Sequence, residues 1–248
     1  MLNIRIGIVT FACVFAVGLT APATGSPGRG GEGGCRANAF QPVGSARRSW
    51  VVFARDAVVA RRSPGGRVIA RFGRVNVNEY PTLFSVRGRL VDARCRTRWW
   101  QVQLPLRPNG RTGWVPAAPV GVASVVTRLE VDLSARELRL FRAGRLRLRA
   151  PAAVGSVRTP TPVGRFYVNQ RLVPYDLRGP YGPGALGVSA FSDVLTGWAQ
   201  GGPIAIHGTN QPGSIGRAVS KGCVRVRNET LRRLIRETPA GTPVIIHP

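Results

Sequence analysis

Short alternating runs of apolar and polar residues dominate the chain, and they predict strands far more often than helices. Trp50–Phe53, Val68–Ala70, Thr82–Val86, Trp99–Leu104 and Thr112–Val115 are β-type runs separated by turn residues. Their spacing predicts a small barrel over residues 49–118. After a turn-like stretch from Pro116 to Val126, read as a domain boundary, a second pattern begins. Leu129, Val131 and Leu133 alternate with Arg128, Glu130 and Asp132, and Leu138 and Leu140 alternate with Glu137 and Arg139. These are two half-buried strands joined at Ser134-Ala135, with a further hairpin at Gly144. Prolines 160 and 162 hold the run from Val154 to Gly164 extended. From Gln170 to Gly202 no period survives, so a long binding loop containing Tyr181 is expected there. Ile204–Ile206 and Val244–Ile246 read as strands. Between them Asn228 is the expected N-cap of a single helix whose apolar stripe is Leu231, Leu234 and Ile235, ended by Pro239 and Gly241. The fold class is therefore mostly β: a small barrel, then a β-rich domain over 125–248 with one helix near its end.

Composition adds where the protein works. Arg5 precedes an apolar run from Ile6 to Leu19, and Ala21-Pro22-Ala23 follows as a small-residue cleavage site. Residues 1–23 thus read as a secretory signal, too short for a membrane span, so no integral span is expected in the mature form. Residues 24–48 read as a flexible Gly/Arg-rich linker. The formal charge is +25, and arginine carries nearly all of it because Lys221 is the sole lysine. A polyanion is one reading of that charge and a codon bias toward arginine the other. The arginines are scattered and no RNA- or DNA-reading motif is present, so nucleic acid is not the expected partner. Removal of residues 1–23 takes away Cys13 and leaves Cys35, Cys95 and Cys223. An odd count in an oxidising compartment predicts one disulfide and one free thiol. Cys35 and Cys95 lie far from any histidine and are expected to pair, leaving Cys223 free.

Two histidines exclude a metal site built on several imidazoles, and no cofactor is implied. His247, beside the C-terminal proline, is a bystander. His207 follows the Ile204–Ile206 strand directly, and sixteen positions later Cys223 follows Gly222. A free thiol with an imidazole partner is a nucleophile and its base, because the thiolate is the attacking species and histidine can lower the thiol pKa. Ile206-His207-Gly208-Thr209-Asn210 and Ser220-Lys221-Gly222-Cys223-Val224-Arg225-Val226-Arg227-Asn228 resemble the signature of the L,D-transpeptidase family, the YkuD-type catalytic domain. Thr159–Phe166 and Gly241–Val244 extend the resemblance over about Val126 to His247. Trp100-x-Val102-x-Leu104-Pro105 with Gly113-Trp114-Val115 resembles bacterial SH3-type barrels.

The transpeptidase resemblance implies an enzyme that cross-links peptidoglycan stem peptides through a thioester on Cys223, with His207 as general acid and base. Gly222 and Ser220 would belong to the oxyanion and site loop, and Asn210, Arg225 and Tyr181 are candidate substrate contacts. Lys221 stands where many relatives carry a second histidine. No acidic orienter for His207 is evident, and a backbone carbonyl, from the region of Ser220, is expected instead. An L,D-carboxypeptidase or a protein-to-wall attaching enzyme would use the same pair, and a non-catalytic wall-binding protein is a reading of another class. Peptidoglycan and anionic cell-wall polymers are the expected partners.

Overall fold

The computed structural model describes residues 36–197 and 199–248. Its first half is one antiparallel sheet of short strands: β1 (Gln41–Pro42), β2 (Ser49–Ala54), β3 (Val58–Arg61), β4 (Val68–Phe72), β5 (Leu83–Val91), β6 (Thr97–Gln103), β7 (Thr112–Pro116) and β8 (Val120–Val125). They run in the order β4-β3-β7-β6-β5-β2-β8, with β1 added to β5. Val52, Phe84, Val102, Leu104 and Val115 are buried inside it. The second half supplies β9 (Thr127–Asp132), β10 (Glu137–Arg142), β11 (Arg145–Pro151), β12 (Val154–Gly155), β13 (Gly164–Leu172), β14 (Ala185–Phe191), β15 (Pro203–His207), β16 (Ala218–Ser220), β17 (Val224–Arg225), the helix α1 (Asn228–Glu237) and β18 (Pro243–His247). Its main sheet has the order β11-β10-β9-β18-β13-β14-β15-β17, while β12 and β16 pair separately. The fold is mostly β with one α-helix among the described residues, as the alternation predicted.

Most predicted strands form where the alternation placed them, and the turns at Ser134-Ala135 and Gly144 connect β9, β10 and β11. Three expectations change. Pro116–Val126 is not a bare boundary: Val120–Val125 forms β8, paired along the full length of β2. Val120 faces the first core, so burial, not a turn, fixes that stretch. The linker reading of 24–48 fails for its described part, because Gln41 and Pro42 pair with Arg89 and Gly88 and the Phe40 ring meets Trp114 edge-on at 6.1 Å. Residues 1–35, including the signal region, Cys13 and Cys35, lie outside the described residues.

The third change concerns Gln170–Gly202, expected as a loop. β13 runs on to Leu172, and Ala185–Phe191 forms the interior strand β14, buried from Ala185 through Ala190. A strand covered on both faces shows no alternation, which is why the period disappears. Leu186, Val188 and Ala190 join the core with Leu231 and Leu234 of α1. On the other face Ser189 Oγ accepts the Tyr167 N–H, and Gln170 Oε1 accepts Nδ2 of Asn76 and Asn78 at 2.9 Å each.

Those last bonds tie the two halves of the chain together. Asn109 pairs with the Phe191 backbone in both directions, Oδ1 accepting at 2.9 Å and Nδ2 donating at 2.8 Å. Gln103 Nε2 donates to the Arg165 carbonyl, and Arg107 donates to the Ser192 and Gly201 carbonyls. Tyr167 is fully buried between the halves with Val51 and Leu83, its hydroxyl donating to the Leu83 carbonyl at 3.1 Å. Losing that donor strands a buried carbonyl. Tyr167→Phe should therefore cost about 1 kcal/mol of stability, read as a lower urea midpoint in one cooperative transition; an unchanged midpoint would show that the bond contributes nothing.

Candidate active site

β15 is an interior strand whose Ile204 and Ile206 are buried, each contributing roughly 1.5–3 kcal/mol on burial. That anchorage delivers His207 to the strand's end. On one side β15 pairs antiparallel with β14, and on the other it pairs parallel with the two-residue β17, Ile206 opposite Val224 and His207 opposite Arg225. The Val226 N–H closes the ladder on the His207 carbonyl at 2.9 Å. Cys223 immediately precedes β17, so the parallel register is what carries it to the strand that ends in His207.

The loop bearing Cys223 is clamped from within. Ser220 is buried, and its Oγ accepts the Gly222 N–H at 3.1 Å and donates to the Cys223 carbonyl at 2.5 Å. The Ser220 carbonyl accepts both the Ser156 N–H and the Thr159 hydroxyl, which fastens the loop to the proline-rich segment. Gly222 sits at φ +104° with Ile204 Cδ1 and Pro160 O against its open face. Its glycine character answers to this packing and turn; its N–H is engaged by Ser220.

His207 Nδ1 lies 2.6 Å from the Gly208 carbonyl. A carbonyl only accepts, so the proton is on Nδ1 and Nε2 keeps its lone pair. The orienter is thus a backbone carbonyl, as expected, although it comes from Gly208 and not from the Ser220 region. Burial, the dominant effect, and the positive charge of Arg225 hold the imidazole pKa down at about 4, against a smaller opposing contribution from the Gly208 bond. Cys223 is only partly exposed, and burial pushes its thiol pKa up despite a backbone hydrogen bond from Ala205 and the charge of Arg225. The resting pair is therefore neutral thiol and neutral imidazole. Burial is the largest influence on the thiol, and it outweighs the Ala205 hydrogen bond and Arg225.

Tyr181 stands over the pair: its ring centroid is 4.9 Å from that of His207, and burial and then the charge of Cys223 raise its phenol pKa. Arg225 reaches Gln211 Oε1 at 3.4 Å, and its charge acts on both His207 and Cys223. Asn210 is exposed on the loop after His207. Lys221 is exposed as well. Cys95 is disulfide-bonded, while its expected partner Cys35 lies outside the described residues; Cys223 is a free thiol. His247 lies on β18, opposite Asp132. Among the described residues no group of His, Cys, Asp and Glu could hold a metal ion.

Asn228 is the residue beside the site that sequence reasoning misplaced. The helix cap position is Arg227, and Asn228 Oδ1 accepts the Thr209 N–H at 2.8 Å. Gly182 and Gly208 flank that amide: a Cβ on either would fall 2.3–2.4 Å from Asn228 Oδ1. The start of α1 thereby holds the loop after His207 against the loop after Tyr181. An asparagine before a helix signals a cap in sequence, and nothing local marks this alternative use.

Residues 126–246 match the family model of YkuD, the L,D-transpeptidase catalytic domain. This segment is similar to L,D-transpeptidase catalytic domains. It is 40% identical over 122 residues to a putative L,D-transpeptidase YkuD of Bacillus licheniformis, covering 49% of this chain and 66% of that protein. With the Bacillus subtilis protein of the same description it shares 38% over 120 residues, 48% of this chain and 65% of the relative. The chain thus spans just under two thirds of these relatives. Among solved structures, the catalytic domain of an E. faecium L,D-transpeptidase is similar over 49% of this chain and 96% of its own, at 24% identity and a TM-score of 0.38. His207 and Cys223 both fall within the matched L,D-transpeptidase segment.

The neutral His207 makes a stability prediction. Its folded pKa, about 4, lies below the ordinary 6.5, so between those values the unfolded chain binds the extra proton and stability rises with pH. The wild type should lose about 3 kcal/mol as pH falls through that window, and His207→Gln should lose correspondingly less, measured by urea unfolding across the pH series.

Proposed function

We propose that the protein is an exported peptidoglycan L,D-transpeptidase, joining stem peptides through a thioester on Cys223. The observation that carries this reading is the parallel register of β15 and β17, which sets the loop bearing the only free thiol of the described residues against the strand that ends in His207, whose Nδ1–H is fixed on the Gly208 carbonyl.

Because both partners rest neutral, attack and proton transfer are coupled. As Cys223 Sγ closes on the carbonyl on the L side of an L,D peptide bond, its proton passes to His207 Nε2. The imidazolium keeps its Nδ1–H···O=C bond to Gly208, which stabilises the positive charge. Arg225 acts on both partners: it favours the thiolate form and disfavours a lasting imidazolium, so the proton is readily passed on to the leaving amine. That expels the terminal D-amino acid and leaves the thioester. His207, neutral again, takes the proton of the acceptor amine as its nitrogen bonds to the carbonyl carbon and the C–S bond breaks, and passes that proton to the departing Cys223 Sγ, which leaves the cross-link and the neutral pair. Since the Gly222 N–H is engaged by Ser220, we assign the oxyanion to the Cys223 N–H, a donor worth about 2.7–4 kcal/mol in such sites. Ser220 supports the loop, and Tyr181, Asn210 and Arg225 line the approach of the peptide.

The N-terminal unit is proposed to be an SH3-type barrel that presents the catalytic domain to the wall; the antiparallel order of its short strands from Ser49 to Val125 supports this. Export from the cytoplasm through cleavage near Ala23 is supported by the disulfide at Cys95, a bond at home outside reducing compartments. No helix among the described residues is long and apolar enough to cross a membrane. The net charge of +25 supports salt-sensitive attraction to anionic wall polymers.

Product analysis with a defined stem tetrapeptide, with and without an acceptor peptide, tests the reaction. A cross-linked product carrying the donor without its terminal D-amino acid is expected, and Cys223→Ala should lower the rate at least about 10³-fold. Free tripeptide alone in the presence of acceptor would make the enzyme a carboxypeptidase, and turnover by Cys223→Ala would remove the nucleophile.

A further inference from the structure

Where the two halves of the chain meet, away from the thiol, a cavity of about 400 Å³ opens between the Val43–Ser49 segment, β5, β9 and β13. Arg47, Arg48, Arg87, Arg128 and Arg165 line it, and no acidic side chain does. Arg128 is the one whose charge is matched nearby: Nη2 pairs with Glu130 at 2.9 Å and the guanidinium stacks on Phe141 at 4.6 Å, yet its buried Nε has no hydrogen-bond partner among the described residues. Arg87 is half-buried and donates to the neutral Gln103 Oε1 at 2.6 Å. Burial first, and the neighbouring Arg165 second, lower its pKa, the mark of like charges held together without a counter-ion. Guanidinium groups gathered from several elements around a space cost folding energy unless something negative occupies it.

We propose that this cavity binds a phosphate group of a polyanion. Arginine forks arriving from different elements suit an anion with several acceptor oxygens, and phosphate offers more of them, in more directions, than a carboxylate. Arg47 and Arg48 are exposed at the mouth and would engage the next phosphates of a chain. The wall-polymer reading above supplies only the expected source; the site itself stands on the cavity and its arginines.

Calorimetric titration of the full chain with short-chain polyphosphate, and with polyglutamate at matched charge and ionic strength, tests it. Polyphosphate should bind the more tightly, and Arg87→Gln with Arg165→Gln should weaken it about tenfold. Arg145→Gln with Arg232→Gln removes the same charge from exposed positions outside the cavity and should weaken it less than about twofold. Because Arg87 is half-buried, Arg165→Gln alone is also measured, with a loss of about threefold expected. Equal losses in the two double variants, no loss in Arg165→Gln, or equal affinity for polyglutamate would overturn the proposal. Cys223→Ala should bind polyphosphate like the wild type, so failure of the thiol chemistry and failure of this site read out separately.

Discussion

The parallel pairing of Pro203–His207 with Val224–Arg225 is the constraint on which the rest of the site depends. Two residues of strand are little structure by themselves. Their register is fixed because Ile206 and Val224 are both fully buried in the main core, and a slip of one residue would turn each side chain to the wrong face. Everything chemical lies just beyond those anchors, His207 at the end of one strand and Cys223 before the start of the other. The Ser220 clamp and the Asn228 amide then fix the two loops that the pairing leaves to turn freely.

The electrostatic character of the pair follows from the same burial. Water is withdrawn from both groups, which disfavours the charged form of each, and Arg225 opposes protonation of the histidine while favouring the thiolate. The carbonyl of Gly208 chooses the tautomer and leaves Nε2 with its lone pair. A short contact with one's own neighbouring residue does the work often given to a carboxylate, and it brings no negative charge into the site.

Much of this was legible in the sequence, and the exceptions have physical reasons. Half-buried strands such as β9 and β10 announce themselves by alternation because one face meets water. β14 does not, since both of its faces are buried, and β8 hid in a proline-bordered stretch because its pairing partner is some 70 residues away in sequence. Cys223 and His207 stand out as the candidate pair through the thiol count, the scarcity of histidine and the family resemblance of the segments that hold them. The role of Asn228 does not, because its amide acts on a loop distant in sequence, and the Gly208 carbonyl carries no side-chain signal at all. The junction cavity was equally hidden: arginines scattered along the chain converge only once the two halves dock.

The resting protonation state of the Cys223–His207 pair is the point on which the mechanism turns, and the thiolate absorbance of wild type minus Cys223→Ala, followed from acid to alkaline pH, measures it directly. A neutral pair predicts no thiolate signal around pH 7 and its appearance only above the ordinary thiol range. A thiolate already present at neutral pH, disappearing as the solution is acidified, would show a preformed thiolate–imidazolium pair and contradict the account.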